Sequence, residues 1–209
     1  MADLRVSDAM RWKRAILVGH SWGGNVTLEF GARYSNRVAA VVFIDGGFLD
    51  IQARREMTWK RTKLELAPPN LVGTHVDRFR QMIKEYAGKL WSRDVENVIL
   101  NNFEIQSDQT IHPRLSYQNH MKILRAMWEQ RPSKLYPQIK CPVLIIPALS
   151  PRADDRAFNK IKGPAVEAAH RGIAQSEVVW FKDTVHDIPL HRPRKLAGAI
   201  TRFVMNHKA

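Results

Sequence analysis

Residues 15–24 read AILVGHSWGG, and this stretch decides the fold. Its first four residues are apolar, two of them β-branched, and Gly19 ends the run, as in a short buried strand. Beyond Gly24 the period changes. Val26, Phe30 and Tyr34 recur at i, i+4 and i+8, which is one face of a helix. Residues 37–45, RVAAVVFID, form a second continuous apolar run closed by Gly46-Gly47. Two buried strands with a helix between them make a βαβ unit with parallel strands. Ser21 sits at the strand-to-helix turn of that unit, inside the G-x-S-x-G spacing of Gly19 and Gly23.

Further along, the α/β alternation breaks and then returns. From Phe48 to about Tyr136 the pattern is helical, rich in Trp and Met, and offers no convincing strand. RREMTWKRTKLELAPP is a basic amphipathic helix stopped by Pro68-Pro69, and HVDRFRQMIKEYAGKLW, RDVENVILNNFEI and YQNHMKILRAMWEQRP continue the helical reading. CPVLIIPA (141–148) then reads as another buried strand, residues 164–175 as a helix, and SEVVWFK (176–182) as a final strand. RPRKLAGAITRFVMNH closes the chain as a helix with Leu196, Ile200, Phe203 and Val204 on one face. The implied organisation is an α/β core from 1–47 and 137–209, with an inserted helical cap over 48–136.

Composition narrows the class. At 209 residues, with 44% hydrophobic and 25% charged residues, the chain has the makeup of one globular domain or a domain with a small excursion. Its apolar runs are far too short to span a bilayer, and MADLRVSDAMRWKR lacks the apolar core of a secretion signal. A single cysteine, Cys141, excludes an internal disulfide framework and fits a reducing cytoplasm, the expected location. The formal charge of +13 invites a nucleic-acid partner. However, the lysines and arginines are scattered, and no zinc spacing or RNA-binding signature accompanies them. Neither a nucleic-acid nor a membrane partner is expected, and no metal or cofactor. Asn25-Val26-Thr27 matches a glycosylation acceptor by chance.

The chemistry resides in the turn. A serine hydroxyl becomes a useful nucleophile when a base takes its proton and a third group orients that base. Gly19, Gly23 and Gly24 supply room where the backbone passes tightly, and the helix start aims the Trp22 N–H at a developing oxyanion. In the chain order serine, acid, histidine, the base arrives late. His186, in the loop KDTVHDIPLHRP after the last strand, is the best placed of the eight histidines. His191 is expected to pack or face solvent, and His20 to have a structural role.

Together, RAILVGHSWGGNVTLEFGARYSNRVAAVVFIDGG, CPVLIIPA and HDIPLHRP resemble the α/β-hydrolase superfamily, in particular its capped, serine esterase-like members. The resemblance runs from about Asp3 to the C-terminus. It implies a central, mostly parallel sheet, Ser21 as nucleophile, His186 as base and the Trp22 N–H as one oxyanion donor. For the acid it leaves two positions open. Most relatives place it after the strand matching PVLII, where this chain reads PALSPRADD and offers Asp154 or Asp155. Others place it at the end of the strand matching VVFID, which gives Asp45. Relatives also carry strands and a second oxyanion donor ahead of the elbow, so the chain resembles the C-terminal part of such a hydrolase. RAILVG is then expected to form an open sheet edge through which copies self-associate.

The leading functional expectation is a serine hydrolase that cleaves an ester, lactone or amide bond of a small apolar substrate through an acyl-enzyme. In that reading Trp59, Trp91, Trp128, Met82 and Met121 either line an acyl pocket or form the cap's own core. The alternative is a catalytically inactive remnant that acts as an interaction protein.

Overall fold

A computed structural model describes residues 2–207. The chain opens with helix α1 (Ala2–Ala9), strand β1 (Ala15–His20), helix α2 (Trp22–Arg33) and strand β2 (Val38–Ile44). Next come α3 (Trp59–Leu66), β3 (Thr74–His75), α4 (Val76–Ala87), α5 (Arg93–Leu100), β4 (Phe103–Ile105), β5 (Thr110–Pro113) and α6 (Tyr117–Glu129). The remainder comprises α7 (Pro132–Leu135), β6 (Val143–Ile146), β7 (Ala148–Leu149), α8 (Arg156–Gly172), β8 (Ser176–Val178), β9 (Phe181–Lys182), α9 (Ile188–His191) and α10 (Pro193–Asn206). Two compact units result. One takes the chain up to Arg55 and from Glu129 onward, the other Glu56–Trp128.

The first unit is built on a sheet of order β1-β2-β6-β8, parallel throughout. Alternation along its central strands explains why their sequences are continuously apolar. Val41, Phe43, Val143 and Ile145 face one core, with Leu28 and Phe30 of α2 and Val166 and Ala169 of α8. Val42, Ile44, Leu144 and Ile146 face the other, with Ile188 and with Leu196, Ala199 and Phe203 of α10. A strand covered on both faces needs apolar residues at every position, whereas a half-buried strand alternates.

Two readings of this unit are corrected. Helix α8 begins at Arg156 rather than 164, with Pro164 inside it. Proline forfeits one helical hydrogen bond, but the buried face set by Lys162, Val166 and Ala169 continues through it and holds the helix together. The final strand is not continuous: β8 pairs with β6, and β9 pairs with β7 in a separate two-stranded ladder.

The second unit contains strands as well as helices, which corrects the purely helical expectation for the middle of the chain. β3, β5 and β4 form an antiparallel sheet in that order. Its core is Val76, Phe79, Ile83 and Ile111, and the Phe79 and Phe103 rings meet edge-on at 4.4 Å. The β4–β5 turn is fixed by Asp108, whose Oδ1 accepts hydrogen bonds from the Thr110 N–H and hydroxyl, and by Gln109 at φ 61°. Strands of two to four residues are too short to show a period of two. Elsewhere in this unit the Trp59 and Trp128 rings lie 5.9 Å apart, with the Arg125 guanidinium 5.0 and 4.6 Å from their centres. Met121 is half-buried, while Trp91 and Met82 are exposed. No helix among the described residues is long and apolar enough to cross a membrane.

Gly46 shows how tightly the strand ends approach. A Cβ there would fall 2.0 Å from the Ser21 carbonyl oxygen, and one on Gly19 2.2 Å from that of Gly23. Gly24 is also tight, at 2.7 Å from the Gly46 backbone, whereas a Cβ on Gly23 meets nothing within 4 Å. The room at the turn therefore comes from Gly19, Gly24 and Gly46, and Gly23 is not needed for it. Gly46→Ala is expected to destabilise the chain by at least about 1–3 kcal/mol, as overpacking does. Gly23→Ala, inside α2, should be neutral or stabilising by up to about 1 kcal/mol. Urea unfolding of the two variants checks the contrast.

β1 is one edge of the sheet among the described residues. Ile16 and Val18 on it are 42% and 49% exposed, and no charge or proline interrupts the strand. Such an edge is a template for a further strand, and we propose that copies of the chain pair through it. Sedimentation velocity is expected to show concentration-dependent association that Val18→Lys weakens. A monomer across the whole concentration range would overturn the proposal.

Candidate active site

Because β1, β2 and β6 are adjacent and parallel, their C-terminal ends lie together on one rim of the sheet, where open α/β sheets bind ligands. β1 ends at His20, and Ser21 turns the chain into α2 with φ 54° and ψ −123°. A non-glycine residue at positive φ costs about 1–3 kcal/mol and persists only where its surroundings enforce it. Here the Ser21 N–H donates to the Ile44 carbonyl (2.9 Å), and the Ser21 carbonyl accepts from the Gly24 N–H (2.9 Å). Trp22 is the first residue of α2. N–H groups of a first helical turn have no carbonyl of their own helix to bond, so they point toward whatever lies before the helix.

One strand over, Asp45 follows β2, also at positive φ (42°), with its N–H donating to the Ile146 carbonyl at 2.9 Å. Its side chain is 1% exposed. Oδ1 accepts from the Ala148 N–H (2.9 Å), and Oδ2 meets His186 Nδ1 at 2.7 Å. The buried Lys162 ammonium reaches both oxygens, at 2.8 and 2.9 Å. Burial alone would raise the Asp45 carboxyl. Against it, the His186 hydrogen bond, the Lys162 charge and hydrogen bond, and the Ala148 N–H hold it below its usual value.

His186 lies in the loop between β9 and α9, anchored by buried Thr184, Val185 and Ile188. The Thr184 hydroxyl donates to the Lys182 carbonyl at 2.9 Å. His186 Nε2 is 2.9 Å from Ser21 Oγ. An ionised carboxylate only accepts, so Nδ1 carries the proton donated to Asp45 and Nε2 is left to accept from the serine hydroxyl. The His20 ring packs 4.9 Å from that of His186, and its Nε2–H donates to the His186 carbonyl at 3.0 Å. His191 accepts from the Val185 N–H at 3.4 Å, and burial with nearby Arg192 and Arg152 lowers its pKa.

The two positions open for the acid are thus separated. Asp45 is at the imidazole, whereas Asp154 stands exposed on a short 3-10 turn (Ala153–Asp155) and Asp155 bonds the Ser150 hydroxyl. Only at the end of β2 is a carboxylate one strand away from Ser21 and level with it. Lys162 and the Ala148 N–H were not found from sequence. The signal for Lys162 was a charged residue on the apolar stripe of α8, in step with Val166 and Ala169. Asn25 is 2% exposed, and its Oδ1 accepts from the Gly47 N–H at 3.3 Å, which leaves no room for a glycan.

An arrangement of this kind can remove the Ser21 proton, hold the resulting imidazolium against a carboxylate and leave the serine oxygen free to attack. Comparison with known proteins agrees with the fold. Solved structures superpose over nearly the whole chain. E-2-(acetamidomethylene)succinate hydrolase matches with TM-score 0.70 and 18% identity, covering 97% of this chain and 71% of its own. The enol-lactonase from Burkholderia xenovorans LB400 matches with TM-score 0.60 and 18% identity, covering 98% and 70%. A "Serine hydrolase-like protein" of Danio rerio is 29% identical over 143 residues, 54% of this chain and 44% of the relative, so the chain spans less than half of that protein's length. The sequence also matches the alpha/beta hydrolase family over residues 2–199, which takes in the Ser21 turn, the parallel sheet and the His186 loop, and the chain therefore belongs to that family.

Proposed function

We propose that this hydrolase uses Ser21 as a nucleophile on carboxylic esters, lactones or amides of small apolar compounds. The observation that supports the reading best is the relay Ser21 Oγ, His186 Nε2, His186 Nδ1, Asp45 Oδ2, with contacts of 2.9 and 2.7 Å. The names of solved relatives, an enol-lactonase and an esterase among them, support the acyl-substrate class.

In this mechanism His186 Nε2 takes the hydroxyl proton as Ser21 Oγ bonds the carbonyl carbon. The carbonyl electron pair moves onto oxygen, where the Trp22 N–H stabilises it, and a donor of this kind is typically worth about 10²–10³ in rate. The imidazolium then passes its proton to the departing alkoxide or amine, and the carbon–heteroatom bond breaks to leave an ester on Ser21. Water, giving its proton to Nε2, attacks that ester, and as the bond to Ser21 Oγ breaks the imidazolium returns the proton to Oγ and the acid leaves. Asp45 keeps the imidazole in the tautomer this requires.

A fluorophosphonate probe is expected to label Ser21 alone, with Ser21→Ala abolishing the signal. Label persisting in that variant would overturn the assignment, and a folded chain that takes no label would favour the inactive, interaction-protein reading. Asp45→Asn is expected to slow labelling and turnover by about 10³–10⁴-fold, because the wrong imidazole tautomer is favoured. Asp154→Asn should change either by less than about twofold, since an exposed substitution away from the site is nearly neutral. The reverse pattern would move the acid to the later loop.

A further inference from the structure

Lys162 is a buried cation, 3% exposed, midway along α8. Its ammonium donates to the Ala148 carbonyl at 2.7 Å and to the Asp45 carboxylate, and sits 5.1 Å from the centre of the Phe158 ring. Ala148 bonds both partners, its N–H to Asp45 and its carbonyl to Lys162, so the three groups close a ring. The oxygen that meets His186, Oδ2, is shared with Lys162. A carboxylate facing an imidazole alone presents its full negative charge and makes the ring more basic. A fixed cation on the same oxygen offsets part of that field at Nδ1.

We propose that Lys162 is a positioning residue that fixes the Asp45 carboxylate and offsets part of its charge at His186. The proposal rests on the reading of Ser21, His186 and Asp45 as catalytic. Its ammonium bridges both oxygens of the carboxylate that meets the imidazole, Oδ2 included. Among neighbouring titratable groups, His20 packs across the ring, Asp187 is next in the chain, and His191 accepts from the Val185 N–H with Arg192 and Arg152 near it. The experiment must therefore read His186 itself.

The test is an NMR titration of the His186 ring in the full chain, assigned by comparison with His186→Gln and repeated in a His20→Gln background. Lys162→Met is expected to move the His186 midpoint up by about one pH unit or more, the usual effect of removing a charge at this range. The acid limb of the fluorophosphonate labelling rate should move with it. Asp45→Asn with Lys162→Met replaces the ion pair by neutral groups and covers the case in which the single variant does not fold. Its midpoint should fall by less than about one pH unit, because the lost ammonium offsets part of the effect of the lost carboxylate. If Lys162 had no weight at the ring, losing Asp45 would lower that midpoint by about one unit or more. That drop, or an unmoved midpoint in Lys162→Met, would overturn the proposal. Absence of fluorophosphonate labelling in every variant would instead count against the catalytic reading, while the ring titration would still decide the coupling.

Discussion

At the rim of the sheet, two backbones approach more closely than any side chain permits. The Ser21 carbonyl occupies the space a Gly46 Cβ would need, and this packing follows directly from β1 pairing with β2 in parallel. Ser21 cannot relax into an ordinary conformation while its N–H is tied to Ile44 and its carbonyl to Gly24. The strained φ is thus paid for by the strand register. The same register sets Asp45 level with the turn, so the serine and the carboxylate are positioned by one interaction.

The core on either side of the sheet gives that register its rigidity. Slipping β2 by one residue would exchange Val41 and Phe43 with Val42 and Ile44, which face different clusters of helices. The His186 loop has no ladder of its own. It is held by buried Thr184, Val185 and Ile188 and by the Asp45 contact, so its position depends on the sheet but is not part of it. That division suits the role proposed for His186, which holds one hydrogen bond steady while exchanging protons at the other nitrogen.

How much of this was legible in the sequence depended on how strongly burial constrained each segment. β2 and β6 could be read because strands covered on both faces leave an unbroken apolar run, and β1 because its run is as apolar although Ile16 and Val18 lie exposed at the edge. β3, β4 and β5 could not, since so few residues carry no period and their order is set by tertiary pairing. Pro164 looked like a helix start because proline is favoured there, yet packing on both sides overrode it. The meeting of Ser21 and His186 was expected from spacing and chain order. Which aspartate stands beside His186 was not, because two loops each offered one and only strand register separates them. Lys162 was hidden for a related reason: a sequence gives no sign that a lysine is buried until the carboxylate across from it is known.

β2 and β6 are hydrogen-bonded neighbours although the Glu56–Trp128 unit intervenes between them in the chain. The entropy of closing such an excursion grows only with the logarithm of its length, by about 0.6 kcal/mol per doubling. Residues can therefore be gained, lost or exchanged within it at little cost to the Val41–Val143 ladder or to the aspartate that follows Ile44. The inserted segment is thus cheap to remodel, and the sheet rim that carries Ser21 and Asp45 is not.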